Sequence, residues 1–292
     1  MSRFVDLTLN GISNGMIYAA VALSLVLIWR ATRIINFAQG GMMMITTFIA
    51  LSVVDAGGSY WLAFCVALAS GFAIGAVTER ALVRSLEGGP PLNAVIATLG
   101  LLILLQAVAG MIWGNTPRSF PPAYSIRGYE ISGRHVLFGP FDTFTVLAVL
   151  GAAAALAVLF RGTGIGLQMR ASAFDALAAR LQGVRVTRMY TLGWALAALT
   201  GSLAGVLVAP AVFVGPNTFD AILVFAFTAA VLGGLDSPVG AIIGGLVLGL
   251  SLSYVSGYAG SSLVTLAALA ILIAVLMVRP EGLFSVARAR RI

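Results

Sequence analysis

Few residues in this sequence could carry out chemistry. The chain has one cysteine, Cys65, one histidine, His135, and no lysine. A disulfide needs two cysteines, a metal site needs several ligands, and a nucleotide-binding P-loop needs a lysine. No Ser/His/Asp or Cys/His set is available for hydrolysis, and no run of Asp, Glu and His could relay protons. We therefore expect no catalytic residue, no metal site and no cofactor bound by this chain.

The composition is that of a polytopic membrane protein. Hydrophobic residues make up 60% of the chain and charged residues only 9%, and there are 34 glycines. A soluble domain of this length could not bury so much apolar surface. The net charge of +7 comes from arginines in short breaks between apolar runs. This distribution is typical of membrane orientation, so we expect no nucleic-acid partner.

Nine apolar runs can be read along the chain. A helix needs about 20 apolar residues to cross a bilayer, and most runs meet that length. We predict an all-α polytopic membrane protein of eight or nine transmembrane helices, some of them broken, in one domain over 1–292. The run 219–233 is short and is interpreted as a half-helix or re-entrant piece. The runs are 8–29, 36–54, 60–78, 92–113, 141–160, 188–210, 219–233, 238–256 and 261–278.

The arginines predict which side of the membrane each break faces. Basic residues accumulate in cytoplasmic loops, and 13 of the 17 arginines fall in alternate breaks. This predicts a bacterial inner-membrane protein with its N-terminus outside and its C-terminus in the cytoplasm. The 13 are Arg30, Arg33, Arg80, Arg84, Arg161, Arg170, Arg180, Arg185, Arg188, Arg279, Arg288, Arg290 and Arg291.

Two long breaks separate the apolar runs. The break 114–140 is predicted outside the cell, where alternating residues around Gly128 and Gly133 predict a small hairpin. It contains His135, which we interpret as a surface residue. The break 161–188 is predicted in the cytoplasm.

Polar and small residues open several apolar runs. In "INFAQGGMMM" (35–44), polar side chains sit at membrane depth, which is tolerated where they pack on protein or line a wet cavity. Asp220 and Asp236 could each cap a helix or lie in a loop. Gly240, Gly244 and Gly245 predict close helix contact. Candidate pathway residues are Asn36, Gln39, Gly40, Met43, Gly215 and Asp236.

The cytoplasmic break contains a predicted amphipathic helix over 166–184. Its apolar residues recur at helical spacing, and Gly183 is placed to end it. The helix could lie flat on anionic lipid or bind a soluble partner protein, and spacing leaves both possibilities open. The apolar stripe is Phe174, Leu177, Ala178 and Leu181.

"RASAFDALAARLQGV" (170–184) resembles the cytoplasmic coupling loop of ATP-binding-cassette (ABC) importer permeases. Three further segments resemble the branched-chain amino acid subfamily: "INFAQG" (35–40), "GGLDSPVGAIIGGLVLG" (233–249) and "RPEGLF" (279–284). The length resembles that of the shorter of the two permease partners in that subfamily. Gly41 stands where a Glu is usual, and Asp236 where Gly is common, which leaves the substrate open among branched-chain and other amino acids, urea, amides and aromatic acids.

The resemblance implies a mechanism. A soluble binding protein would deliver substrate, two permeases would form the pathway, and two cytoplasmic ATPases would use ATP and Mg²⁺. The second permease is expected to be a different, longer chain. The alternative function is a self-contained channel or ion-coupled secondary transporter, against which the scarcity of intramembrane charge argues. The residues implied in coupling are Arg170, Ala171, Ala173, Phe174, Asp175, Leu177, Ala178, Leu181 and Gly183.

Overall fold

The computed structural model describes residues 2–86, 89–131, 134–135 and 138–284. Three of the arginines used to assign sidedness, Arg288, Arg290 and Arg291, lie outside these residues. The described residues form eleven α-helices: α1 (Ser2–Thr32), α2 (Gln39–Asp55), α3 (Tyr60–Ala81), α4 (Pro91–Trp113), α5 (Pro140–Gly162), α6 (Gly164–Phe174), α7 (Ala176–Leu181), α8 (Val186–Val208), α9 (Asp220–Gly233), α10 (Pro238–Tyr258) and α11 (Val264–Val278).

Short 3₁₀ helices occupy Val83–Leu86, Ala209–Ala211 and Ser261–Leu263. Two short strands, β1 (Glu130–Ile131) and β2 (Arg134–His135), pair antiparallel in the predicted hairpin. The prediction of an all-α polytopic fold with a small hairpin is confirmed.

Each of the nine apolar runs folds as a helix. Seven helices in the described part of the chain are long and apolar enough to cross a membrane: α1, α3, α4, α5, α8, α10 and α11. The other two are shorter, with 17 residues in α2 and 14 in α9. The eight or nine predicted crossings thus correspond to seven long helices and two short ones. The sequence predicted a short helix for α9 but not for α2.

The bundle has two ends, which we name by the segments they carry. At the hairpin end, next to β1 and β2, α1 and α5 both begin, and the Ser13 hydroxyl donates to Oδ1 of Asp142 at 2.6 Å. At the coupling-loop end, which carries α6 and α7, both helices finish, and the Arg30 guanidinium lies 6.0 Å from the Phe160 ring centre. Helices α1 and α5 therefore run in the same direction, from the hairpin end to the coupling-loop end.

Glycines allow the closest helix contacts in the bundle. A Cβ built on Gly249 of α10 would collide with the backbone of Gly15 in α1, so these two helices meet backbone to backbone. Gly240 and Gly244 pack in the same way against Gly233 and the Ala229 carbonyl of α9. Small residues permit such close approach in membrane helices. The contact predicted for Gly240, Gly244 and Gly245 is confirmed, since Gly245 meets the backbone of Ala19 in α1.

The predicted single helix over 166–184 is wrong, because the structure breaks it at Asp175. The backbone of Asp175 is extended, with φ −149° and ψ 103°, and its Oδ1 accepts a hydrogen bond from the Ala178 amide at 2.9 Å. This side chain caps α7, and the capping geometry is incompatible with a continuous helix. Gly183, with φ 82°, follows the end of α7, as predicted.

Candidate functional site

The segment 33–38 enters the bundle between α1 and α2. Arg33 ends α1 in the left-handed region, with φ 59°, and the chain then continues without regular structure to Gln39. The Thr98 hydroxyl of α4 reaches the Ile35 carbonyl at 3.4 Å. Helix α2 therefore begins inside the bundle, which is why it is shorter than a full span.

Two buried amides hold this segment in place. The Asn36 side chain donates to Gln39 Oε1 at 3.2 Å and accepts from the Ala38 amide at 3.0 Å. Gln39 Nε2 donates at 3.2 Å to the carbonyl of Ala197, the central residue of α8. Gly201 leaves the space that the Gln39 amide fills. Because hydrogen bonding to protein offsets the cost of burying these amides, they can lie at membrane depth.

Gly40 and Met43 lie on the same buried helix start. Gly40 faces the side chain of Leu223 in α9, where a Cβ would come within 3.3 Å, and Met43 packs beside Gly205 of α8. Met43 has no exposed surface. Protein covers this part of the predicted pathway in the observed conformation, and its role in a pathway stays a prediction.

The remaining two pathway candidates lie elsewhere in the bundle. Gly215 is buried beside Val214, whose backbone pairs with that of Arg118 towards the hairpin end. Asp236 lies at the coupling-loop end, where its carboxylate pairs with Arg33. Ser237, not Asp236, caps α10 by accepting from the Gly240 amide at 2.9 Å. The six candidates thus lie at three levels of the bundle and do not form a single site.

A carboxylate and an amide meet at membrane depth where α4 and α9 approach each other. Gln106 Nε2 lies 2.8 Å from Oδ1 and 3.1 Å from Oδ2 of Asp220, and both side chains are half-buried. Asp220 is the first residue of α9, but no side-chain cap forms at this helix start, so neither the predicted cap nor the predicted loop position is observed. Sequence reasoning missed Gln106, although a glutamine in the apolar run 92–113 was the available signal.

A second polar group ties α3 to α8. The Glu79 carboxylate has no exposed surface and receives two hydrogen bonds from Arg84, the shorter at 2.9 Å. The Thr191 hydroxyl lies 2.6 Å from Glu79 Oε2. A buried carboxylate with a bidentate arginine is well satisfied, so we interpret this group as structural. The sequence did not predict this group, because Glu79 and Arg84 are more than 100 residues away from Thr191.

The helices α6 and α7 present an apolar surface to solvent at the coupling-loop end. Phe174, Leu177 and Leu181 are exposed by 83%, 69% and 81%, and we call these three residues with the exposed Ala178 the coupling surface. Met169, Ser172 and Ala179 are buried and anchor the two helices on the bundle. Of the other residues implied in coupling, Arg170, Asp175 and Gly183 are exposed, and Ala171 and Ala173 are half-buried.

Within the described ranges, no three histidine, cysteine, aspartate or glutamate residues are grouped closely enough to hold an ion. The arrangement offers buried amides, the half-buried Asp220 carboxylate and an exposed apolar surface at the coupling-loop end. These can bind and position other molecules.

The chain matches a family model over most of its length. Residues 7–278 match the model described as branched-chain amino acid transport system, permease component. The chain belongs to this family. It is an ABC permease that crosses the membrane several times, and its matched region contains the segment 33–38, the Asp220–Gln106 pair and the coupling surface.

Individual relatives agree with this assignment. The permease is 30% identical to the high-affinity branched-chain amino acid transport system permease protein LivH of Escherichia coli (strain K12), over 96% of this chain and 95% of that one. It is 29% identical to the ribose import permease protein RbsC of the same strain, over 82% and 75% of the two chains. Its fold resembles an inward-facing ABC transporter of the metal-chelate type, with a TM-score of 0.51 and 17% identity over 92% of this chain and 84% of that one.

Proposed function

We propose that this chain forms half of the membrane pathway of an ATP-driven importer for branched-chain or related hydrophobic amino acids. The coupling surface is the observation that carries this proposal. The surface presents three large apolar side chains at one end of a membrane bundle, on helices held to that bundle by buried residues. Such a surface is suited to bind a groove in a soluble protein. That protein would be an ATPase, because this chain has no lysine for a P-loop.

The other subunits follow from the same proposal. A second permease, different from this chain and longer, would complete the pathway, and two cytoplasmic ATPases would use ATP and Mg²⁺. A soluble binding protein would deliver substrate at the hairpin end. The arginine distribution supports a cytoplasmic coupling-loop end and C-terminus, an extracellular N-terminus, and the bacterial inner membrane as location.

The pathway is proposed to pass where α2 and α9 begin. Short helices that start inside the membrane mark binding sites in several transporter folds. Here the start of α2 contacts α9 through Gly40 and Leu223, and Asp220 lies one helical turn before Leu223. The pathway would run from the hairpin end past the contact of α2 with α9 to the coupling-loop end. Along it would lie the candidate residues Asn36, Gln39, Gly40, Met43, Gly215 and Asp236.

Asp220 also favours a second candidate function. A carboxylate at membrane depth is the group that ion-coupled transporters use, so a self-contained secondary transporter is the alternative. For the substrate, a sugar is the alternative class, because the similarity to RbsC covers 82% of the chain. The similarity to LivH covers more of both chains and supports an amino acid.

Reconstitution distinguishes the two functions. One set of liposomes would contain this permease alone. The other set would contain this permease, the second permease and the ATPases, with the binding protein added outside. We expect leucine uptake only with the full set and only with ATP inside. Uptake by the permease alone, driven by an ion gradient, would overturn the proposal. Ribose in place of leucine tests the alternative substrate class.

A further inference from the structure

A groove opens on the side of the bundle at the coupling-loop end. It is a cavity of about 460 Å³ between α1, α5 and α10, and α6 contributes one residue to its mouth. Its walls are apolar, with leucines from α1 and small residues from α5. Ala154 and Ala157 of α5 and Val239 of α10 are exposed, so the groove opens outward from the bundle.

Three arginines stand at the mouth of this groove: Arg30, Arg161 and Arg170. They come from α1, α5 and α6, and Arg30 is half-buried. None of the three takes part in an ion pair within the described residues. The nearby carboxylate of Asp236 is bound by Arg33 instead. Asp236 also attracts Arg30, but because it is paired with Arg33 the mouth retains a net positive charge.

The dimensions of the groove match one leaflet of a bilayer. From Leu150 to Arg161, α5 rises by about 16 Å at about 1.5 Å per residue. The hydrocarbon core of a bilayer is about 30 Å thick, so the apolar wall is about half of that depth. The arginines would then lie at the headgroup level, with apolar surface below them. A phospholipid has the same order of groups, with its phosphate above its acyl chains.

We propose that this groove binds an anionic phospholipid, with the phosphate held by Arg30, Arg161 and Arg170 and an acyl chain against α5 and α10. Basic pockets between membrane helices recognise anionic headgroups in this way. Because Arg170 belongs to α6, the lipid connects the coupling loop to α1 and α5. This inference depends on the membrane location of the chain and stands without the proposed transport function.

Lipid binding to the purified complex tests this inference. The complex of this permease with its partner subunits would be delipidated and titrated with phosphatidylglycerol or phosphatidylcholine of the same acyl composition, with bound lipid counted by native mass spectrometry. We expect at least about tenfold tighter binding of phosphatidylglycerol, which corresponds to about 1.4 kcal/mol. Arg161→Gln should abolish most of this preference. Equal binding of the two lipids, or an unchanged preference in Arg161→Gln, overturns the proposal.

A second variant tests the apolar wall without changing charge. Ala157→Trp should fill the groove and reduce lipid binding, whereas Ala155→Trp, on an exposed part of α5 that does not line the groove, should not. Arg279→Gln, an exposed arginine at the same end, is the matched charge control. A photo-crosslinking amino acid at Ala154 should capture lipid. Capture of the second permease instead shows that this face is a subunit interface and overturns the proposal.

Discussion

At the scale of single residues, polar side chains inside this bundle belong to two classes. Asn36 and Gln39 are buried and bonded to each other or to backbone, so they stabilise the entry of the segment 33–38. Asp220 is half-buried, and its carboxylate accepts hydrogen bonds from the Gln106 amide. A charge that is neither fully buried nor exposed to water outside the membrane has to face a wet cavity or another subunit. This makes Asp220 the polar residue from which we expect an effect on transport.

Replacement of Asp220 tests this expectation. In Asp220→Asn the amide keeps the shape but loses the charge that we expect to attract the ammonium group of an amino acid. We expect the initial rate of leucine uptake by the reconstituted importer to fall about tenfold, equivalent to about 1.4 kcal/mol. Asp220→Glu, which keeps the charge, should retain more activity. Wild-type uptake by the Asn variant would remove Asp220 from the pathway.

The Glu79–Arg84 pair should affect stability rather than transport. Arg84→Leu leaves a buried carboxylate without its cation, a change that costs about 3–5 kcal/mol in buried pairs. Because the Arg84 side chain is 40% exposed, we expect the low end of that range. Thermal unfolding of the purified permease should show a clear decrease in Tm.

Two comparison variants make this measurement specific. The double variant Glu79→Leu/Arg84→Leu should recover most of the stability, because no unpaired charge remains. Arg80→Leu, an exposed arginine without an ion pair among the described residues, should leave Tm nearly unchanged. If the double variant is no more stable than Arg84→Leu, loss of packing and not the unpaired charge is the cause.

At the scale of helices, the break at Asp175 changes how the coupling surface is formed. Two short helices, α6 and α7, present it, with the capping bond from Ala178 to Asp175 fixing the angle between them. The residues of the surface are exposed and contribute little to the stability of this chain. Substitutions there should therefore act on binding to a partner and leave the fold intact.

Leu177→Asp tests this separation. An aspartate on the coupling surface should prevent apolar contact with the ATPase, so ATP hydrolysis would no longer drive uptake. We expect loss of uptake by the assembled importer, with Tm of the permease unchanged. Leu177→Met, which keeps an apolar side chain, is the control and should transport normally. If α6 and α7 only rest on lipid, Leu177→Asp will transport like the wild type.

The contact between α1 and α10 depends on glycine. In Gly249→Ala the added methyl group meets the backbone of Gly15, which cannot move aside as a flexible side chain could. Overpacking of this kind costs about 1–3 kcal/mol, so we expect a lower Tm. Gly151→Ala adds the same methyl group on α5, where nothing lies within 4 Å, and should be neutral or slightly stabilising. A Tm in Gly249→Ala as high as in Gly151→Ala would contradict the close contact.

At the scale of the whole molecule, the two ends of the bundle differ in chemistry. The coupling-loop end carries α6, α7 and most of the arginines, and the hairpin end carries β1 and β2. The proposed lipid groove and the coupling surface share the first of these ends. The proposed binding of a cytoplasmic ATPase to the coupling surface requires that this end face the cytoplasm.

Cysteine labelling tests that orientation. In a Cys65→Ser background, Phe174→Cys and Tyr129→Cys each place one exposed thiol at an opposite end of the bundle. A membrane-impermeant maleimide added to intact spheroplasts should label the thiol at position 129. The thiol at position 174 should be labelled only after the membrane is permeabilised. The reverse pattern would show that the permease is oriented the other way.

The sequence by itself determined the local features of this protein. Nine apolar runs became nine helices, because helix formation in a membrane depends on the length and composition of each segment. The hairpin and the helix end at Gly183 were likewise predicted from neighbouring residues. The break at Asp175 was also local, but helical periodicity concealed it, since a capping aspartate fits the same spacing.

Only the tertiary structure decided which distant residues meet. Gln39 bonds to Ala197, 158 positions away, and Gln106 to Asp220, 114 positions away. Such pairs depend on how helices are arranged around one another, which hydrophobic periodicity does not specify when most faces of a helix are apolar. The groove with its three arginines likewise exists only where α1, α5, α6 and α10 come together. A single helix can be predicted from its own residues, whereas a site between helices depends on how all the helices of the bundle pack together.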